Sequence, residues 1–185
     1  LKRIALAQVK LRRATPEDAL CLSVLGMQVW LDTYATDGIR PAIAREVLAS
    51  FSLDAMAATL ARSDRWLTVA EHQGHLIGYA EIWPMSTEAL APPGVQMELF
   101  RLYVQEPFTG QGVGALLLQA AERQAHLHGA SVLWLTPWVH NLRARHFYAR
   151  QGYTDHGSTW FRFEGEAHEN RVLAKALSTS TGADH

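Results

Sequence analysis

The chain has 185 residues, 48% of them hydrophobic and 19% charged, with a formal net charge of −1. This length suffices to bury one core, and a charge so near zero removes the electrostatic case for nucleic acid or an anionic membrane surface as a partner. A single cysteine, Cys21, excludes an intrachain disulfide and fits a reducing compartment, while no apolar run approaches the roughly 18 to 20 residues of a membrane span.

The opening LKRIALAQ is too short for a secretory signal, so the cytoplasm is the expected location. VKLRRA reads as a short strand. TPEDAL then starts a helix, with Thr15 as N-cap and Pro16 at the first helical position. That helix carries Cys21 among Ala, Leu and Val, as a buried small hydrophobe, and presents Trp30 and Tyr34 four residues apart on one face. Residues 41–51 and 53–62 read as further helices. WLTVAEHQGHLIGYAEIW is a hairpin turning at His72–Gly74, and PMSTEALAPPGVQ is a loop.

Met97–Val104 alternates as a strand, and Val113–His128 is periodic as a helix with Gly129 past its end. SVLWLT is almost wholly apolar, the pattern of a strand buried on both faces. NLRARHFYARQGY is a helix with Asn141 as N-cap and Gly152 just beyond it. Strands near 153–164 and 168–174 complete the chain. No repeat or linker interrupts it, so residues 1–177 are expected to form one domain and 178–185 a disordered tail. Strands joined partly by hairpins and partly by crossovers imply an α/β fold with a mixed sheet.

Between strand and helix lies TGQGVG, in which Gly110, Gly112 and Gly114 leave main chain bare where N–H groups and the helix dipole favour an anion. A phosphate-binding Walker loop needs Gly-Lys-Ser/Thr, and this chain has Gly-Ala-Leu. A dinucleotide fold needs an acidic residue about 20 positions on, and none stands between Glu122 and Asp155. The nine histidines show no cluster with ligand spacing, so no metal is expected. Solvated or locally bonded histidines account for His126 and His128.

Together, LYVQEPFTGQGVGALLL and NLRARHFYARQGY resemble the two signatures of the GNAT superfamily of acetyl-CoA-dependent N-acetyltransferases, in the right order. The resemblance extends over most of residues 9–175. It implies a mostly antiparallel sheet with splayed central strands, flanked by helices, and acetyl-CoA as co-substrate. It implies that the backbone of Leu102, Tyr103 and Val104 pairs with the pantetheine arm. Thr109, Gly110, Gln111, Gly112, Val113 and Gly114 would cradle the pyrophosphate. Family members usually open this loop with Gln or Arg. Thr109 brings a hydroxyl and an N–H but no charge, and Arg143 is a candidate to compensate. A bulky residue at Gly112 is expected to abolish binding with the fold intact.

By the same resemblance Asn141 contacts pantetheine as well as capping its helix. Tyr148 protonates the departing thiolate, where the alternative is a plain core aromatic. Glu98 matches a general base found in several branches, and the alternative is a strand-end carboxylate paired with Arg101 or another Arg, or one that merely attracts a cationic substrate. Glu81 is the next candidate base. Trp30, Tyr34, Trp83 and Trp138 are candidates for an acceptor pocket. The expected reaction is direct acetyl transfer to a primary amine of a small molecule, peptide or protein. The alternative is a regulatory domain that binds acyl-CoA without turnover. Homodimerisation is a further expectation, since edge strands of this fold often pair.

Overall fold

The computed structural model describes residues 3–84, 86–163 and 165–177. Its strands are β1 (Val9–Arg13), β2 (Trp66–His72), β3 (His75–Pro84), β4 (Gln96–Val104), β5 (Val132–Leu135), β6 (Thr154–Phe163) and β7 (Glu166–Ala176). Its helices are α1 (Ala19–Tyr34), α2 (Pro41–Ser50), α3 (Leu53–Ala61), α4 (Val113–Leu127) and α5 (Leu142–Arg150). The tail at 178–185 lies outside the described residues. Hydrogen-bonded strands follow the order β1-β2-β3-β4-β5-β7-β6. The β1–β2, β2–β3, β5–β7 and β6–β7 pairs are antiparallel and β4–β5 is parallel. The mixed, mostly antiparallel sheet expected from the sequence is therefore present.

The chain divides into two compact units. One comprises Leu1–Trp83 with Phe100–Ala121, the other Pro84–Leu99 with Glu122–His185. In the first, α1, α2 and α3 bury Leu22, Leu25, Val47, Phe51 and Met56 with Val69 and Tyr79 of the sheet. Each large side chain fully buried in this way contributes about 1.5 to 3 kcal/mol. Helix α1 begins after a single 3-10 turn at Pro16–Asp18, where the Asp18 carboxylate accepts the Thr15 N–H at 2.8 Å. Helix α3 is capped by Ser52, whose side chain accepts the Ala55 N–H.

Cys21 departs from expectation: it is exposed. The buried stripe of α1 runs through Ala19, Leu22, Ser23, Leu25 and Gly26. At 100° per residue, position 21 falls outside it, beside exposed Leu20 and Val24. In the second unit Ala91, Val132, Trp134, Val172 and Ala174 form the core. All residues of β5 are buried, as its apolar run foretold. The β4–β5 register pairs Gln96, Met97 and Glu98 with Val132, Leu133 and Trp134, while β4 itself continues to Val104.

Candidate active site

The glycine loop lies in the first unit. After a 3-10 turn at Glu106–Phe108 the chain passes Gly110 at φ 69° and Gly112 at φ 90° before α4 begins. Both are left-handed values that favour glycine. The first helical bond runs from Leu116 N–H to the Gly112 carbonyl at 3.0 Å, so Val113, Gly114 and Ala115 precede it at the helix N-terminus. A Cβ at Gly110 would meet nothing within 4 Å. The loop thus has the bare main chain and helix-head donors that an anion uses.

Two loop side chains are occupied within the protein. The Thr109 hydroxyl and N–H both donate to the Glu106 carbonyl, at 2.9 and 3.1 Å. The expected offer of those two donors to phosphate therefore does not hold in this geometry. Gln111 accepts the Ile4 N–H on Oε1 at 2.9 Å and donates from Nε2 to the Pro107 carbonyl at 2.8 Å. Nothing in the motif pointed to this strap from the N-terminal segment. Leu6 belongs to it, because a Cβ at Gly112 would lie 2.6 Å from Leu6 Cδ1. Replacing Gly112 would then shift the end of the exposed Leu6 side chain and strain a positive φ. Arg143 is an exposed residue of α5, in the other unit.

The two candidate carboxylates differ sharply. Glu81 has no exposure and both its oxygens are engaged: Trp83 Nε1 donates at 2.6 Å and Arg101 donates at 2.9 Å. The Arg101 guanidinium also lies over the rings of Phe51 and Phe100. Arg101 is therefore a partner of Glu81. Glu98 is half-buried and accepts the Ser86 hydroxyl on Oε2 at 2.8 Å.

Trp30 and Tyr34 pair at 4.9 Å between centroids, as their spacing implied. Trp83 stacks on Phe100 beneath the Arg65 guanidinium. Tyr79 and Tyr103 meet edge to face at 5.4 Å, and burial raises both phenols well above their ordinary range. Trp138 belongs to the other unit, where it packs edge-on to His140.

Helix α5 lies in the second unit, with Glu98. Asn141 caps it, accepting the Ala144 N–H on Oδ1 at 3.1 Å. Tyr148 is buried near the helix end, with Phe147 and Tyr153 edge-on at 5.1 and 5.5 Å. Among the described residues no group of His, Cys, Asp and Glu has the form of a metal site. His128 bonds Gln124 locally, whereas His126 Nδ1 is buried with no partner among the described residues. No helix among the described residues is long and apolar enough to cross a membrane.

The chain thus combines a bare-backbone loop heading α4 with a capped helix, α5, that buries Tyr148 in its last turn. Residues 30–153 match the model of the acetyltransferase (GNAT) family, and the chain belongs to that family. It is 25% identical over 171 residues to an uncharacterized N-acetyltransferase of Lactobacillus delbrueckii subsp. lactis, covering 91% of this chain and 98% of that one. It is 33% identical over 135 residues to an uncharacterized N-acetyltransferase of Mycobacterium bovis, covering 70% and 81%. The fold matches the PaiA N-acetyltransferase of Thermoplasma acidophilum in complex with coenzyme A. That match has a TM-score of 0.71 at 22% identity, over 91% of this chain and 98% of that one.

Proposed function

We propose that the protein transfers the acetyl group of acetyl-CoA directly to a primary amine of a small molecule or a polypeptide. One observation supports the reading most: the main chain between β4 and α4 is open, with Gly110 unobstructed ahead of the α4 N-terminus. Related folds support it, since the Thermoplasma protein holds coenzyme A and a Salmonella typhimurium structure holds its cofactor acetyl-CoA. The residues fit that substrate. N–H groups from Gly110 to Gly114 would receive the pyrophosphate oxygens, and Thr109 would shape the loop entrance. The β4 backbone at Leu102, Tyr103 and Val104 would pair with the pantetheine arm, and the side-chain NH2 of Asn141 would contact it.

Main-chain N–H near Val104 would polarise the thioester carbonyl as negative charge grows on its oxygen. Glu98 would take a proton from the acceptor ammonium, leaving a neutral amine. As the amine nitrogen bonds to the carbonyl carbon, the carbon–sulfur bond breaks. Tyr148 would then give its phenolic proton to the departing thiolate. The surplus proton on nitrogen leaves to solvent, and Tyr148 is reprotonated from solvent. Glu81 is set aside as the base because Arg101 and Trp83 already hold both its oxygens.

The test is release of free CoA thiol from acetyl-CoA across a panel of primary amines. Turnover with at least one amine is the expected result. Saturable binding of acetyl-CoA with no release across antibiotics, polyamines, amino acids and peptide N-termini would favour a binding domain instead.

A further inference from the structure

The end of α5 is tied to residues distant in sequence. Tyr153 N–H donates to the Tyr148 carbonyl and Gly152 N–H to the Ala149 carbonyl, each at 3.1 Å. Gly152 stands at φ 88°. This is the 6→1 and 5→2 pattern that closes a helix through a left-handed residue, and it commonly brings the flanking side chains into contact. Here those side chains are Tyr148 and Tyr153, whose rings meet at 67°.

Tyr153 is held in turn from its far end. Its hydroxyl donates to Glu122 Oε1 of α4 at 3.1 Å. Lys175 of β7 grips both Glu122 oxygens at 2.9 and 3.0 Å. Burial, with Glu122 beside it, keeps the Tyr153 phenol protonated far above the ordinary range. Tyr153 is therefore a fixed donor. A phenylalanine at 153 would pack against Tyr148 equally well, so packing alone does not explain the hydroxyl or the paired carboxylate beneath it.

We propose that Glu122, clamped by Lys175, is a positioning residue that sets the Tyr148 ring through the Tyr153 hydroxyl. It rests on the reading of Tyr148 as the proton donor. The ion pair fixes the carboxylate, the carboxylate fixes one end of Tyr153, and the turn at Gly152 fixes the other. The edge of one ring then limits the tilt of the next. A proton donor must meet the departing sulfur within hydrogen-bond reach, and small misplacement there costs rate rather than binding.

The experiment is a double-mutant cycle on the full chain, with kcat and the acetyl-CoA dissociation constant read separately. Tyr153→Phe and Glu122→Ala should each lower kcat about tenfold, in line with a modest loss of alignment, and leave acetyl-CoA affinity unchanged. Lys175→Arg should retain the rate that Lys175→Met loses. In a Tyr148→Phe background, neither Tyr153→Phe nor Glu122→Ala should lower the residual rate further. An unchanged kcat in Tyr153→Phe, whose shape preserves the fold, would overturn the inference. So would an equal drop in the Tyr148→Phe background. If Tyr148→Phe itself turns over normally, the failure lies in the assignment of Tyr148, and the positioning role falls with it.

Discussion

The glycine loop and the end of α5 are built from opposite materials. The loop presents main chain from contiguous residues, with its side chains turned to internal partners such as Glu106 and Ile4. The helix end is organised by side chains from three elements, including Glu122 and Lys175, which stand 53 positions apart. Backbone recognition can be read along a line, because a run of glycines between a strand and a helix leaves few alternatives. Side-chain positioning needs the fold, because nothing local connects Lys175 with Tyr148.

That contrast breaks most readily at Tyr148. Tyr148→Phe should lower kcat by about 10² to 10⁴, the usual span for a lost acid–base group, with acetyl-CoA affinity nearly unchanged. A matching loss of affinity would mean that the helix end binds rather than reacts. Next in size is Glu81→Ala. It strands the Arg101 guanidinium, whose side chain is only 13% exposed, without its counter-charge. Stability should fall by about 3 to 5 kcal/mol in denaturant unfolding. A loss below about 1 kcal/mol would show that the pair is not structural.

Glu98→Gln should lower kcat/KM about a hundredfold near neutral pH and flatten the acid limb of the rate profile, as expected when a general base is removed. An unmoved profile would place the base elsewhere. Gly110→Ala separates backbone recognition from folding better than any change at Gly112. An Ala Cβ there meets open space but must hold φ 69°. Strain of about 1 to 2 kcal/mol is expected. Acetyl-CoA affinity measured on the folded fraction should fall about tenfold, as if one close approach to phosphate were blocked.

The smallest effect is shared by both units. The Arg12 guanidinium holds the Asp18 carboxyl below its usual range, and Arg171 does the same for Asp155. Each folded-state value is depressed, so each pair's contribution is present above the ordinary carboxylate range. It is lost as pH falls through the lowered value. Urea midpoints between pH 7 and 3 should decline less for Asp18→Asn and Asp155→Asn than for the wild type. Parallel curves would contradict the pairing.

Much of the fold was legible. Alternation marked β4, the turn at His72–Gly74 marked the hairpin, and Asn141 announced the cap that α5 uses. What escaped has physical causes. Helix α1 is apolar on nearly every side, so its period did not choose between the face of Leu22 and that of Cys21. The Arg101–Glu81 pair was not read from the sequence because a near neighbour along the strand competes with one across the sheet, and Glu81 lies across it. Leu6 and Ile4 carry no motif, so their contacts with the loop had no signature. The Glu122–Tyr153 bond likewise joins residues that no spacing rule connects.

Calorimetric titration of coenzyme A, set beside pantetheine, which lacks the diphosphate and the 3′-phosphoadenosine, in the wild type and in Gly110→Ala, tests the backbone loop most directly. Saturable one-site heat with coenzyme A, and binding at least a hundredfold weaker with pantetheine, is the predicted result if exposed main-chain donors at the helix head grip the diphosphate. No heat with coenzyme A, or equal affinity for the two ligands, would contradict it.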